Sequence, residues 1–62
     1  MKITLRDQTW HLKGPLTVRE AIEHIGLSPE RLLAIRDGKV IREDDMLDED
    51  DEIKLLAVIA GG

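Results

Sequence analysis

Apolar and polar residues alternate in two short stretches near the start of the chain, over 2–6 and over 9–13. An alternation with period two predicts strands that are buried on one side only. Asp7-Gln8 lies between the two stretches and predicts a tight hairpin loop, and Gly14-Pro15 predicts the end of the second strand. The first fifteen residues therefore indicate an antiparallel pair of strands.

The spacing of the apolar positions then becomes helical. Thr17 is followed three residues later by Glu20, which is the pattern of a capping box at a helix start. Gly26 predicts the helix end, because glycine readily adopts the left-handed conformation there. We predict a helix over about 18–25, whose buried face is formed by residues at i, i+3, i+4 and i+7, namely Val18, Ala21, Ile22 and Ile25.

Two further strands are predicted after a short turn. Ser28-Pro29 indicates one helical turn with Ser28 as its cap. The stretches 32–36 and 39–42 flank Asp37-Gly38, and an Asp-Gly pair between apolar runs is among the strongest hairpin signals in a sequence. We expect a second antiparallel pair here.

The segment 43–52 consists of eight acidic residues together with Met46 and Leu47, and we predict a loop or turn. It lacks the glycine and the ligand spacing of a calcium loop. A solvated face that aids solubility is the favoured interpretation. The alternative is a docking surface for a basic partner.

The stretch from Ile53 to about Ile59 is nearly continuous aliphatic sequence and predicts the last strand. Because it is the most apolar strand, we place it in the middle of the sheet beside the first strand. A helical crossover separates the two, so their pairing is predicted to be parallel. The result is an α+β fold of the β-grasp type, with a mixed sheet of four to five strands packed on one helix. We expect a single domain over 1–59 and a flexible Gly-Gly tail over 60–62.

Composition narrows the possible functions of this 62-residue chain. It has no cysteine, which excludes disulfides and thiolate metal sites, and His11 and His24 have no ligand partners at a metal-binding spacing. A net charge of −4 and a single aromatic residue argue against direct binding of nucleic acid or anionic membranes. No sequence pattern of a catalytic triad or phosphate loop is present, so we do not expect an enzyme. With no signal peptide and no run of about 18 apolar residues, we expect a cytoplasmic protein.

The last strand is apolar on both faces, whereas a single helix covers only one face of a sheet. We therefore expect Leu56 and Val58 to be partly exposed, with Leu32 and Ala34 as further candidates. Such exposure indicates an apolar patch that binds partners, and Leu56, Val58 and Ile59 are its predicted contact residues. The alternative is that loops cover these side chains and make them part of the core.

Two glycines, Gly61 and Gly62, end the sequence. One interpretation is a frayed terminus. The other is a tail that enters a narrow channel of another protein, since glycine has no Cβ to clash and the backbone extends freely. In that case the carboxylate of Gly62 is the only reactive group presented.

Two stretches of the chain resemble the ThiS/MoaD family of sulfur carrier proteins. The first is the ending Leu47-x-x-x-Asp51-Glu52-Ile53-x-Leu55-Leu56-x-Val58-Ile59-x-Gly61-Gly62, and the second is Leu16-Thr17-Val18-x-Glu20-x-Ile22-x-x-Ile25-Gly26-Leu27. The likeness covers essentially the whole chain. One departure is Asp50-Asp51, where many members carry Gly-Asp, so the turn before the last strand is expected to differ.

The resemblance implies a ubiquitin-like β-grasp fold and a role as a co-substrate. An E1-like adenylyltransferase would use ATP to adenylate the carboxylate of Gly62, while the chain itself binds no cofactor. Sulfur from a donor such as a cysteine desulfurase would then form a thiocarboxylate at Gly62, with Gly61 giving the tail its slimness. The acceptor would be a sulfur-accepting synthase or a tRNA thiolation enzyme.

Several pathways and two other functions stay open. The ending Val58-Ile59-Ala60-Gly61-Gly62 resembles the tRNA-thiolation and archaeal-type carriers most, and the thiamine carrier is nearly as similar. The short length disfavours the longer molybdopterin carriers. One alternative is a ubiquitin-like modifier conjugated to lysines of other proteins. Another is a passive β-grasp interaction module that has no activated tail.

Overall fold

A computed structural model describes residues 1–58 of the chain. This part contains two β-sheets and one α-helix. The larger sheet has five strands in the order β2-β1-β7-β4-β5, and β3 and β6 form a separate two-stranded sheet. The elements in chain order are β1 (Lys2–Leu5), β2 (Gln8–His11), β3 (Leu16–Thr17), α1 (Val18–His24), a 3-10 helix (Pro29–Arg31), β4 (Leu32–Arg36), β5 (Lys39–Ile41), β6 (Met46–Leu47) and β7 (Glu52–Ala57).

The last strand lies in the centre of the larger sheet, as the sequence predicted. β7 runs parallel to β1, with Ile3 beside Ile53, and antiparallel to β4, with Ala34 beside Leu55. This mixed sheet of five strands and one helix is the predicted α+β β-grasp arrangement. The predicted tail over 60–62 and the predicted domain end at Ile59 lie outside the described residues.

The first hairpin differs by one residue from the prediction. Its loop is Arg6-Asp7 rather than Asp7-Gln8, because Leu5 pairs with Gln8 and Ile3 with Trp10. Both pairings leave the same side chains on the core side of the sheet, so alternation could not distinguish between them. Arg6 adopts a φ of 57°, which the tight two-residue loop requires and which is uncommon for an arginine.

The helix has the predicted caps at both ends. The backbone N–H of Glu20 donates to Thr17 Oγ1 at 3.1 Å, and that of Thr17 donates to Glu20 Oε1 at 2.9 Å, which completes the capping box. At the other end Gly26 has a φ of 85°, and the Leu27 N–H donates to the Ile22 carbonyl at 3.1 Å. The prediction of 18–25 is confirmed to within one residue.

The second hairpin is confirmed, and the turn before it partly so. Both loop residues have a positive φ, 54° at Asp37 and 77° at Gly38, as the Asp-Gly pair predicted. Ser28 does occupy the cap position of the 3-10 helix, but its side chain makes no capping hydrogen bond. The Ser28 carbonyl accepts instead from the Arg31 N–H at 3.1 Å.

The acidic segment is not only a loop, which corrects the prediction for 43–52. Met46–Leu47 forms β6 and pairs with β3, so that Leu47 lies opposite Leu16. The Leu47 side chain is completely buried, and this apolar contact holds the strand against the core. A methyl group at Gly14 would lie 3.1 Å from the Leu47 carbonyl oxygen, so the close approach at this position suits glycine.

The turn before β7 accommodates aspartate at position 50 without strain. The Asp51 N–H donates to the Asp48 carbonyl at 3.1 Å, and the Asp48 N–H donates back to Asp51 Oδ2 at 2.8 Å. Among the described residues, only Arg6 and Asp37 combine a side chain with a positive φ. The turn therefore does not need the glycine that the family resemblance led us to consider at this position. Arg36 Nη1 fixes the turn to β4 through Asp51 Oδ2, at 3.2 Å.

The core lies between α1 and one face of the larger sheet, which we call the inner face. None of its buried side chains is polar or charged within residues 1–58. Its members are Met1, Ile3, Val18, Ala21, Ile22, Ala34, Leu47, Ile53 and Leu55.

Candidate functional site: the outer sheet face and the root of the tail

The face of the larger sheet that points away from α1, here the outer face, has no helix or strand packed on it among residues 1–58. The registers place one row of its residues across all five strands. Thr9 lies beside Thr4, Thr4 beside Lys54, Lys54 beside Ile35 and Ile35 beside Val40. The row changes from polar at β2 to apolar at β5, so the two halves of the face differ in character.

The apolar half of the outer face continues toward the end of β7. Leu33 pairs with Leu56, and these side chains are 42% and 41% exposed. Val40 is 63% exposed on the edge strand, and Val58, two positions after Leu56, is 42% exposed. Together with the half-buried Ile35 they form what we call the outer apolar patch: Leu33, Ile35, Val40, Leu56 and Val58.

The predicted contact residues lie partly in this patch. Leu56 and Val58 are exposed as expected, and their role in binding stays a prediction. Ile59 lies outside the described residues, as do Gly61 and Gly62. β7 ends at Ala57 rather than near Ile59, and the Val58 N–H donates to the Arg31 carbonyl at 2.8 Å, which fixes the root of the tail to β4.

The prediction for β4 was wrong for Ala34. Ala34 is 2% exposed and belongs to the core, Leu32 is half-buried, and Leu33 is the exposed residue. Four consecutive apolar residues in β4 give no alternation from which an inner face could be identified. β7 does alternate, with Ile53 and Leu55 inside, but transferring that pattern to β4 requires the register between the strands, which the sequence does not contain.

Charged residues border the patch on the side of β1. Lys54 is exposed in the middle of the face, between Thr4 and Ile35. Lys2 Nζ lies 3.9 Å from Glu52 Oε1 at the start of β7, and both side chains are largely exposed. An apolar area with an adjacent lysine is typical of a protein-binding surface, which needs a desolvated centre and a polar rim.

A shallow groove of about 670 Å³ lies beside the root of the tail. The segment from Gly26 to Leu32 forms one wall, and Ala57 and Val58 form the other. It is open to solvent and next to the outer apolar patch, since both include Val58. A partner that covers the patch can therefore also reach the groove.

Several acidic residues of the segment 43–52 have partners within the chain. Arg19 Nη2 lies 3.1 Å from Glu43 Oε2, and this hydrogen bond raises the pKa of Arg19 above its usual value. The backbone N–H of Arg42 donates to Asp45 Oδ2 at 2.7 Å, and the Asp51 carboxylate binds the Arg36 guanidinium. These contacts give part of the acidic segment a structural role.

The described residues contain neither a metal site nor a membrane-spanning helix. Residues 1–58 contain no group of three or more histidine, aspartate or glutamate side chains placed to hold a metal ion. His11 and His24 are exposed on different elements. Within the same residues no helix combines the length and apolar character that crossing a membrane requires.

The chain is similar to known proteins over its full length. The family model of the ThiS family matches residues 1–62. The sulfur carrier protein TtuB of Thermus thermophilus is 35% identical over 65 residues, which cover 100% of both chains. Among solved structures, a computationally designed protein based on the template of human erythrocytic ubiquitin, determined by NMR in solution, matches with a TM-score of 0.69 and 28% identity. That match covers 100% of this chain and 94% of the designed one.

Proposed function

This chain belongs to the ThiS family over its whole length, and from that membership we propose that it is a sulfur carrier whose C-terminal glycine, Gly62, is activated and loaded with sulfur. The observation that carries the proposal is the 35% identity to a sulfur carrier protein over the complete length of both chains. The carrier is a co-substrate in this reaction and not the catalyst.

The proposed chemistry takes place at the carboxylate of Gly62. An E1-like enzyme binds ATP, and the carboxylate attacks the α-phosphate, so that pyrophosphate leaves and an acyl adenylate forms. The terminal sulfur of a persulfide, supplied by a donor such as a cysteine desulfurase, then attacks the carbonyl carbon and displaces AMP. A second thiol cleaves the resulting acyl disulfide and leaves the thiocarboxylate. ATP is bound by the enzyme, and no cofactor is assigned to the carrier.

The folded part of the chain supplies recognition in this scheme. Within the described part of the chain, the outer apolar patch presents Leu33, Val40 and Leu56 to solvent. Val58 belongs both to the patch and to the wall of the groove at the tail root. A partner that binds the patch is thereby placed beside the segment that carries Ile59, Gly61 and Gly62.

We propose that the sulfur is used in tRNA thiolation. Thiamine biosynthesis is the second choice of pathway, and molybdopterin biosynthesis is the least favoured. The support is the ending Val58-Ile59-Ala60-Gly61-Gly62, which resembles the carriers of tRNA thiolation. A sulfur-accepting enzyme of the tRNA pathway is then the final partner. Its RNA substrate is bound by that enzyme and not by this acidic chain.

The experiment that tests this function is an intact-mass measurement. The chain is incubated with ATP, the activating enzyme of its own organism and a sulfur source. We expect a mass increase equal to the exchange of one oxygen for one sulfur, absent from a chain that lacks Gly62. Gly62→Ala is expected to keep the fold and to lose most of the transfer, because its methyl group must pass a channel shaped for glycine. No mass change in the presence of an active enzyme would contradict the carrier function.

A second candidate is a ubiquitin-like modifier that is joined through Gly62 to lysines of other proteins. The similarity to a design based on ubiquitin, with a TM-score of 0.69, favours this candidate. Adducts joined by an isopeptide bond in cell extract, absent when Gly62 is deleted, would support it. The two functions share the adenylation step and differ in the product, which is a thiocarboxylate for the carrier and an isopeptide-linked adduct for the modifier.

A further inference from the structure

Arg6 adopts an unusual backbone conformation at the tip of the first hairpin. Its φ of 57° is close to the 54° of Asp37 in the second hairpin. The second hairpin carries Asp-Gly, a pair that tolerates positive φ well, whereas the first places an arginine there. Asparagine or glycine would adopt this conformation with less strain, so local stability does not account for the arginine.

The sheet register places Arg6 at the end of β7 from which the tail leaves. β1 is parallel to β7 and Leu5 lies beside Leu55, so Arg6 follows at the level at which β7 ends. Arg31 lies on the other side, because Leu32 pairs with Ala57 and the Arg31 carbonyl binds the Val58 N–H. The root of the tail is thus flanked by an arginine on each side.

The two flanking side chains are available to a partner. Arg6 and Arg31 are exposed, and within residues 1–58 neither side chain makes an ion pair or a hydrogen bond, although Asp7 and Glu30 are adjacent in sequence. By contrast, Arg19 binds Glu43 and Arg36 binds Asp51. Among residues 1–58, the arginine side chains without an ion pair are therefore Arg6, Arg31 and Arg42, and two of them, Arg6 and Arg31, flank the root of the tail.

The distribution of charge along β7 reinforces this difference. Eight of the thirteen acidic residues lie in 43–52, and the rest of the chain has nine basic and five acidic residues. The acidic residues 48–52 lie at the start of β7, which is the end opposite the tail. An acidic surface repels that end, which favours an approach in which the tail end of the chain comes first.

We propose that Arg6 and Arg31 bind carboxylates of the activating enzyme at the mouth of the channel that receives the tail, an inference that rests on the proposed function. Arginine pairs with carboxylates through two parallel hydrogen bonds, which adds orientation to attraction. The phosphates of ATP, which binds to the same enzyme, are an alternative anionic partner for the two arginines. However, residues 59–62 in an extended channel span up to about 14 Å. The carbonyl carbon of Gly62 that is adenylated then lies farther from the root of the tail than an arginine side chain can reach.

The test is a kinetic comparison of variants in ATP–pyrophosphate exchange with the activating enzyme. The double variant Arg6→Asn with Arg31→Gln removes both charges, and Lys39→Gln is the matched control. Lys39 is exposed at the opposite end of the sheet, beside Arg36. We expect the double variant to raise the KM for the carrier roughly tenfold, with kcat and the KM for ATP within about twofold. We expect Lys39→Gln to leave all three constants unchanged.

Three further readouts make the outcome unambiguous. Asparagine tolerates a positive φ, so Arg6→Asn alone is expected to keep or raise the Tm, which excludes unfolding as the cause of a higher KM. Added salt should raise the KM of the wild type more than that of the double variant, and a lysine at both positions should restore part of the affinity. A change in the KM for ATP instead of the carrier would assign the arginines to the nucleotide and overturn the proposal.

The failure of this inference differs from the failure of the proposed function. Exchange with the wild type but equal KM values for the double variant and Lys39→Gln would overturn the role of the arginines alone. Absence of exchange with the wild type, in the presence of an enzyme that activates another carrier, would overturn the proposed function and this inference with it.

Discussion

The inner and outer faces of the larger sheet carry similar apolar residues in opposite surroundings. Leu55 on the inner face is 1% exposed, whereas Leu56, the next residue, is 41% exposed on the outer face. The helix packs on the inner face, so burial there stabilises the fold, while no element within residues 1–58 covers the outer apolar patch. An exposed apolar patch that does not stabilise the monomer is typical of a binding surface. We therefore attribute the stability of the fold to the inner face and propose recognition of partners as the role of the outer face.

The largest expected effect is the loss of stability on truncation of the inner face. Leu55→Ala should lower the free energy of unfolding by about 2–5 kcal/mol, because it leaves a cavity in the core. For a chain of this size that corresponds to a decrease in Tm of roughly 10 °C or more. The matched variant Leu56→Ala should cost less than about 1 kcal/mol. Equal losses in thermal denaturation would abolish the distinction between the faces.

The next effect concerns recognition by the outer face. Leu56→Ser should weaken binding to the activating enzyme roughly tenfold with little change in Tm, because it removes apolar area from the centre of the patch. Thr9→Ala, on the polar half of the same face, is the control and should bind as the wild type does. Binding of both variants can be measured by calorimetry. Wild-type affinity of Leu56→Ser would place the binding surface elsewhere.

A smaller effect is expected from a change at the start of α1, the helix that packs on the inner face. Thr17→Ala removes the hydroxyl that caps α1 and should cost about 0.5–2 kcal/mol. Thr17→Ser retains the oxygen and should recover most of this loss. Chemical denaturation of the two variants gives the difference. If the alanine variant were as stable as the wild type, the cap would not contribute to holding the helix on the sheet.

The smallest effect is a dependence of stability on pH. The backbone N–H of Thr17 donates to the Glu20 carboxylate and holds the pKa of Glu20 below its usual value. Since the pKa in the folded state is the lower one, Glu20 adds stability above about pH 4.3, and this is lost as the pH falls through the folded value. Glu20→Gln should therefore show a weaker decrease of Tm between about pH 5 and pH 3. A steeper decrease in the variant would contradict the assignment.

The sequence predicted features that depend on neighbouring residues and missed those that depend on distant ones. The capping box of Thr17 and Glu20 and the turn at Asp37-Gly38 are local, and both are present. β6 was missed because Leu47 is surrounded by acidic residues, and its burial depends on β3, thirty residues earlier.

The same limit applies to the site. The exposure of Leu56 could be predicted because the last strand is apolar on both faces, whereas a single helix covers only one face of a sheet. Leu33 and Val40 complete the patch through registers between strands, which no local pattern records. The arginine pair was missed for the same reason, since Arg6 and Arg31 are brought to one end of the sheet only by β7.

The central position of β7 determines when the chain can fold during synthesis. In the strand order β2-β1-β7-β4-β5, no strand of the first hairpin pairs with a strand of the second, and β7 lies between them. Each hairpin can form while the chain is emerging from the ribosome, but an isolated hairpin is marginally stable in water. The sheet closes only after Glu52–Ala57 has been released, and this requires a long-range pairing with β1. Folding is therefore a single late event, so a nascent chain that is cut short before β7 presents neither the outer apolar patch nor the groove to a partner.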